Sequence, residues 1–126
     1  MRAYQILHGA NIDGLQCIDY PERDLGLGEV RIRVHAVSLN YRDLMVAGGN
    51  YLVSVEDPII PCSDGAGEVL AVGPGVTRVQ VGDRVAGSFF PHWLEGGPTP
   101  DKVRHGLGGD IDGMLAEEVI LHEDAL

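Results

Sequence analysis

A period-two pattern of apolar residues lies near the start of this chain and constrains its fold more than any other feature. In residues 29–39, EVRIRVHAVSL, the residues Val30, Ile32, Val34 and Ala36 alternate with arginine or histidine. Successive side chains of a β-strand point to opposite faces, so this alternation predicts a strand with one buried and one solvent-facing side. The chain must therefore build a sheet that covers a core on one face.

Other short runs of β-forming residues surround this strand and are separated by glycine-rich turns such as GPGVT and VGDRV. The runs cover residues 2–7, 15–20, 65–72, 84–90 and 114–121. Many short strands with glycine-rich turns, without alternating long helices, predict a mainly β fold, a barrel or a sandwich. One or two helical turns are expected after Ser38, where NYRDLMVA precedes the stop signal Gly48–Gly49.

The segment 91–110, PHWLEGGPTPDKVRHGLGGD, is rich in proline and glycine and has no periodicity. It is expected to form a long surface excursion. Such a segment can be a functional loop or merely a mobile one, and the sequence leaves both open.

Composition indicates one globular domain with a core of ordinary size, because the chain has 126 residues and is 44% hydrophobic. Its net charge of −10 disfavours a nucleic-acid partner. No apolar run approaches the roughly 20 residues that span a bilayer, and no secretion signal is found, so we expect a cytoplasmic protein without a membrane partner. Cys17 and Cys62 do not resemble a disulfide framework, and Cys62 is expected to be a small buried hydrophobic residue.

Two kinds of motif are missing from the chain. The pairs Gly65–Gly67 and Gly73–Gly75 lack the third glycine of a dinucleotide-binding loop and precede strand or turn rather than helix, so turns and close packing explain them better. Neither the two cysteines nor the five histidines have the local spacing of a metal site. The sequence therefore predicts no metal, although a site that the fold assembles from distant residues stays open.

Two polar segments allow two interpretations each. In Asn40-Tyr41-Arg42-Asp43, Ser38 or Asn40 could simply cap a helix with Asp43 in its first turn, or the segment could carry chemistry. The segment 61–65, PCSDG, could likewise be only a turn before a strand, or it could carry chemistry.

The order of these motifs resembles the N-terminal, GroES-like domain of the medium-chain dehydrogenase/reductase superfamily, which includes zinc alcohol dehydrogenases and quinone oxidoreductases. The most specific matches are the segments 40–43, 65–75 and 82–85. The resemblance covers essentially all of residues 1–126 and implies a mainly β, distorted β-barrel with one or two short helices. This domain would form the substrate side of a cleft.

The resemblance also implies what lies outside the chain. A Rossmann domain that binds NAD(P)(H) would follow residue 126, so the 126 residues alone are expected to be inactive. The parent protein would be an NAD(P)-dependent oxidoreductase, a homodimer or tetramer, whose partners are a nicotinamide cofactor and a small-molecule substrate.

Zinc-dependent relatives place cysteine, histidine and glutamate where this sequence has Asn40, Ser63 and Asp64. They also carry four cysteines around the region that is 91–110 here, which contains none. Serine and asparagine are poor zinc ligands, so both zinc ions are expected to be absent. The zinc-lacking branch, similar to quinone oxidoreductases, keeps Asn40 and Asp43.

In that branch, hydrogen-bond donors rather than a metal would polarise a carbonyl, enone or quinone-like substrate. The catalytic residues implied by the resemblance are Asn40, Tyr41, Asp43 and Ser63. The residues expected to line the substrate or cofactor site are Tyr51, Asp64, Phe90 and Trp93. The loop with Phe89, Phe90, His92 and Trp93 could cap an apolar substrate, or it could equally be a partner or packing patch.

A second class of function remains open at this point, namely a self-standing β-barrel that binds or assembles like a co-chaperonin and catalyses nothing. Such a module would not need the polar cluster of Asn40, Asp43 and Ser63.

Overall fold

The computed structural model of the chain describes residues 1–51 and 57–126. The strands are β1 (Arg2–Gln5), β2 (Gln16–Asp19), β3 (Glu29–Ser38), β4 (Asp64–Val72), β5 (Arg84–Ala86) and β6 (Glu118–His122). The helix α1 spans Tyr41–Ala47, and two 3₁₀ turns span Ile12–Gly14 and Glu123–Ala125. These elements confirm the predicted mainly β fold and its short helix.

The described strands form a two-stranded sheet, β1–β2, and a four-stranded antiparallel sheet in the order β5-β4-β3-β6. An isolated antiparallel bridge pairs Ala3 of β1 with Ala116, two residues before β6. The predicted central strand β3 pairs with β4 on one side and with β6 on the other. Gly67 lets β3 and β4 approach closely, since a Cβ there would lie 1.9 Å from the carbonyl oxygen of Arg33. This close packing confirms the interpretation of the Gly65–Gly67 pair.

The main core lies against the inner face of the larger sheet. Its fully buried members are Val30, Ile32, Val69, Leu107, Met114 and Val119. A second cluster, of Ile6, Val46, Ala47 and Ile59, packs α1 against the β1 side. Each valine, leucine, isoleucine or methionine side chain in these clusters stabilises the fold by about 1.5–3 kcal/mol on burial. The second cluster therefore anchors the C-terminal end of α1.

Three details differ from the sequence-based expectation. Ala36 is exposed because the β3–β4 register shifts between Val34 and Ala36, which turns Val37 inward instead. The run predicted at 84–90 is a strand only at 84–86, and the one predicted at 114–121 begins at Glu118.

The segment 91–110 has no regular helix or strand, as expected, but it is not wholly a surface excursion. Its last part, residues 106–109, is buried, and Leu107 belongs to the main core. The apolar side chain of Leu107 anchors a segment that its glycines and prolines alone would leave at the surface.

No helix in the described parts of the chain is long and apolar enough to cross a membrane.

Candidate functional site

The start of α1 is held by the carboxylate of Asp43. The backbone N–H of Asn40, the N-cap residue, donates to Asp43 Oδ2 over 2.8 Å, and the backbone N–H of Asp43 donates to the carbonyl of Asn40 over 2.9 Å. The helix-cap interpretation is therefore confirmed for Asn40 and Asp43. This cap leaves the side-chain amide of Asn40 free for other contacts.

That amide points to the first residue of β4. Asn40 Nδ2 donates to Asp64 Oδ2 over 2.7 Å, and the Ser63 hydroxyl donates to the same oxygen over 2.5 Å. Asn40 Oδ1 accepts a longer hydrogen bond, 3.3 Å, from the Ser38 hydroxyl. Ser63 is only 1% exposed. Two carboxylates, Asp43 and Asp64, thus fix Asn40 from its backbone and from its side chain.

Cys62 lies beneath this cluster. It is 1% exposed, and its φ of 72° is in the left-handed region that favours glycine. Burial, and then the negative charge of Asp43, raise the pKa of the Cys62 thiol to about 12. The thiol is protonated at neutral pH, which confirms Cys62 as a small buried side chain rather than a nucleophile.

A recess of about 420 Å³ opens beside Asn40, and its wall is mostly apolar. The residues that line it are Ile6, Ile12, Leu15, Leu39, Asn40, Tyr41, Asp43, Leu44, Ala47, Pro61, Cys62 and Leu115. Leu39 and Tyr41 at its rim are 77% and 78% exposed. Polar groups at Asn40, Tyr41 and Asp43 face an otherwise apolar wall, which is the usual composition of a small-molecule site.

Three other predicted site residues, Tyr51, Phe90 and Trp93, belong to a row of neighbouring aromatic rings, of which the Phe89–Phe90 and Phe90–Trp93 pairs are tilted. The rings of Phe89 and Phe90 are 4.4 Å apart between centroids, and those of Phe90 and Trp93 are 6.2 Å apart. The guanidinium of Arg42 lies 4.5 Å from the ring centroids of both Tyr51 and Phe89. We call Tyr51, Arg42, Phe89, Phe90 and Trp93 the aromatic row.

The structure therefore brings the predicted residues together in two groups. Asn40, Asp43, Ser63 and Asp64 form one hydrogen-bonded cluster, and Tyr41 stands at the recess rim. Tyr51, Phe90 and Trp93 belong to the aromatic row and are not part of the recess wall; their contact with a substrate stays a prediction.

Sequence reasoning missed Arg42 as a member of the row. One signal was available for Arg42, because a cation in the first turn of a helix opposes the helix dipole and needs a separate reason to be there.

The cluster does not fit a zinc ion. In the described residues, no group of three or more histidine, cysteine or acidic side chains could hold a metal. The two carboxylates of the cluster already accept hydrogen bonds within it, Asp43 from the backbone of Asn40 and Asp64 from the side chains of Asn40 and Ser63.

Comparison with known proteins identifies the family. The model of the alcohol dehydrogenase GroES-like domain matches residues 26–126. The chain belongs to this family. A zinc-type alcohol dehydrogenase-like protein from Schizosaccharomyces pombe is 40% identical over 102 residues, which are 81% of this chain and 30% of that protein.

Solved structures agree with this assignment. An NAD-dependent alcohol dehydrogenase superposes with a TM-score of 0.79 at 32% identity, over 98% of this chain and 38% of that one. A quinone oxidoreductase from Pseudomonas syringae pv. Tomato DC3000 superposes with a TM-score of 0.69 at 27% identity, over 97% of this chain and 31% of that one. These matches confirm the GroES-like fold. The chain spans about a third of the length of the relatives it matches.

Proposed function

We propose that this GroES-like domain forms the substrate side of a zinc-independent, NAD(P)(H)-dependent oxidoreductase that transfers hydride to or from a carbonyl, enone or quinone-like substrate. The observation that carries the proposal is the fixed position of Asn40. Its backbone is held by Asp43 and its amide by Asp64, at the edge of an apolar recess. A preorganised hydrogen-bond donor beside an apolar wall suits a substrate with one polar oxygen on an apolar body.

The hydrogen-bond geometry divides the polar residues by role. The Ser63 proton is directed at Asp64, so Ser63 supports the cluster rather than the substrate. Asn40 Nδ2 carries two hydrogens, and Asp64 accepts one of them, which leaves the second for a substrate oxygen. The exposed hydroxyl of Tyr41 on the recess wall is the other available donor.

A nicotinamide cofactor, when bound, supplies or accepts the hydride. The part of this domain is to bind the substrate, to orient its oxygen towards Asn40 and Tyr41, and to exclude water with the apolar wall. Negative charge grows on that oxygen during reduction, and donors fixed beforehand stabilise it without reorganising.

The cofactor phosphates need a site outside this chain. Gly65 and Gly67 lie within β4, and Gly73 and Gly75 follow its end, so these glycines serve strand packing and a turn rather than a phosphate loop. We therefore propose that a further, Rossmann-type domain of the parent protein holds the cofactor, and that residues 1–126 alone are inactive.

Zinc independence is part of the proposal. It is supported by the donor set, in which an amide, a hydroxyl and an already engaged carboxylate replace thiolate and imidazole ligands. We also propose a reducing, cytoplasmic setting, which two free cysteines, one exposed and one buried, favour.

The test is Asn40→Asp in the full-length parent protein. This variant keeps the shape of Asn40 but removes both N–H donors and sets a carboxylate against Asp64. We expect kcat/KM for NADPH-dependent reduction of a quinone to fall about 100-fold, since one preorganised donor contributes that much or more to such reactions.

Asn50→Asp, at an exposed asparagine just beyond α1, is the matched control and is expected to retain full activity. Equal activity of both variants would overturn the role of Asn40. A wild-type protein that turns over no carbonyl or quinone with either nicotinamide would overturn the proposed function and favour a module that only binds or assembles.

A further inference from the structure

Arg42 is an unexpected side chain at its position. It is the second residue of α1, where the helix dipole disfavours a cation. Its Nε and Nη2 atoms are buried and have no hydrogen-bond partner among the residues that the structure describes. Buried donors without acceptors destabilise a fold, so helix stability does not explain an arginine here.

The contacts of Arg42 instead join three separate parts of the chain. Its guanidinium lies between the rings of Tyr51, which follows α1, and Phe89, which follows β5, at 4.5 Å from each centroid. Its Nη1 donates to the carbonyl of Leu107 over 2.8 Å. A planar cation between two ring faces is attracted to both, and more strongly away from water.

Leu107 in turn is hydrogen-bonded to a member of the aromatic row. Its backbone N–H donates to the carbonyl of Phe89 over 3.0 Å. Gly106 lies close to the rings of Phe89 and Phe90, since a Cβ there would be 3.2 Å from the Cε1 atom of each. Arg42 therefore holds Phe89 both by its ring and, through Leu107, by its backbone.

We propose that Arg42 is a positioning residue that clamps the aromatic row against residues 106–109 and thereby sets how bulky a substrate the domain accepts. The second half of this inference rests on the proposed function, because it takes Tyr51, Phe90 and Trp93 to line the substrate side. The clamp itself rests only on the contacts of Arg42.

The first experiment compares Arg42→Met and Arg42→Lys in the chain itself. Methionine keeps an unbranched stem but removes the cation and its unpartnered donors. Lysine keeps a charge that can reach Leu107 but has no plane to stack. Trp93 is the sole tryptophan of the chain, so its fluorescence reports on the end of the row.

We expect Arg42→Met to raise the acrylamide quenching constant of Trp93 about 2-fold and to speed amide exchange at Leu107 about 10-fold, while the melting temperature stays equal or rises. Arg42→Lys is expected to give smaller changes of the same sign. A residue that acted only through stability would lower the melting temperature and leave native quenching and Leu107 exchange unchanged, which would overturn the clamp.

Gly109→Ala tests the clamp without altering Arg42. A Cβ at this position would lie 2.4 Å from Arg42 Nη2 and 3.4 Å from Tyr51 Cε1. We expect it to displace the guanidinium and to reproduce the Trp93 quenching of Arg42→Met. Should Arg42→Met fail to fold, Arg42→Lys and Gly109→Ala decide, and unchanged quenching in both would reject the clamp.

The second experiment measures the full-length parent protein with a three-carbon aldehyde and with a tricyclic quinone. Arg42→Met is expected to change the ratio of the two KM values at least 5-fold and to leave kcat within about 2-fold. An unchanged ratio in an active enzyme rejects the role in substrate size. An inactive wild-type protein rejects the proposed function and, with it, this role, while quenching and exchange still decide the clamp.

Discussion

Asn40 Nδ2 and Asp64 Oδ2 are 2.7 Å apart and join the start of α1 to the start of β4. The two residues are 24 positions apart in the chain, and each lies at the end of a different element. A hydrogen bond to a charged carboxylate is stronger than one between neutral groups. This bond therefore determines the direction of the amide that the proposed function depends on.

Asp64→Asn should weaken that bond and also the one from Ser63. The amide oxygen of asparagine is neutral, whereas the carboxylate oxygen that it replaces is charged. A hydrogen bond to a charged group contributes about 1.5–3 kcal/mol, and part of that free energy is lost in the variant. We expect kcat of the parent enzyme to fall about 10- to 100-fold with KM nearly unchanged, measured by steady-state kinetics. Asp24→Asn, at an exposed aspartate, is the control, and equal losses in both variants would contradict the prediction.

The zinc content of the purified protein tests the donor set directly. We expect well below one zinc per chain by atomic emission after dialysis, and no loss of the parent's turnover in a chelator. The physical reason is that Asn40 and Ser63 are neutral and Asp64 is already hydrogen-bonded. The double variant Asn40→Cys with Ser63→His, which supplies thiolate and imidazole, should retain more zinc. A full equivalent in the wild type would refute the zinc-independent assignment.

The left-handed backbone of Cys62 should reverse the usual order of stability between an alanine and a glycine variant. Alanine usually stabilises a fold more than glycine does, but the φ of 72° at Cys62 penalises any residue with a Cβ by roughly 1–2 kcal/mol. Both Cys62→Ala and Cys62→Gly remove the buried sulfur. We expect the glycine variant to be the more stable of the two by about 1 kcal/mol in urea unfolding. A more stable alanine variant would show that the backbone relaxes at this position.

The sequence predicted the fold well where a local pattern decided it. The apolar positions Val30, Ile32 and Val34 of β3 pack into or against the core as expected, and the glycine pair after α1 ends the helix as expected. The sequence-based prediction was wrong at Ala36. The register shift there depends on pairing with β4 and cannot be recognised from the sequence of β3 alone.

The candidate site was predictable only in part, for a similar reason. The segments of Asn40 and Ser63 were recognised from the order of motifs, and Asp43 from helix-cap chemistry. Nothing local predicted that Arg42 would stack on Phe89, since the two residues meet only through the packing of Leu107 and its neighbours. Contacts between distant segments are set by the tertiary fold, which a single sequence does not display.

The dependence of stability on pH can be predicted from Glu29. Two hydrogen bonds from Arg23, and then one from the backbone N–H of Gly26, lower the pKa of this carboxyl from 4.5 to about 2. A lowered pKa stabilises the fold at pH values above the unfolded pKa, and this contribution is lost as pH falls from about 4.5 through 2.

Glu29→Gln should therefore lower the free energy of unfolding at pH 7 by on the order of 1 kcal/mol, a figure reduced for the exposure of Arg23. The difference from wild type should shrink steadily below pH 4.5 and vanish near pH 2, as measured by urea unfolding across that range. Glu95→Gln, at an exposed carboxyl in the 91–110 segment, is the control and should follow the wild-type curve. A difference between Glu29→Gln and wild type that stays constant from pH 7 to pH 2 would show that the carboxylate charge is not its source.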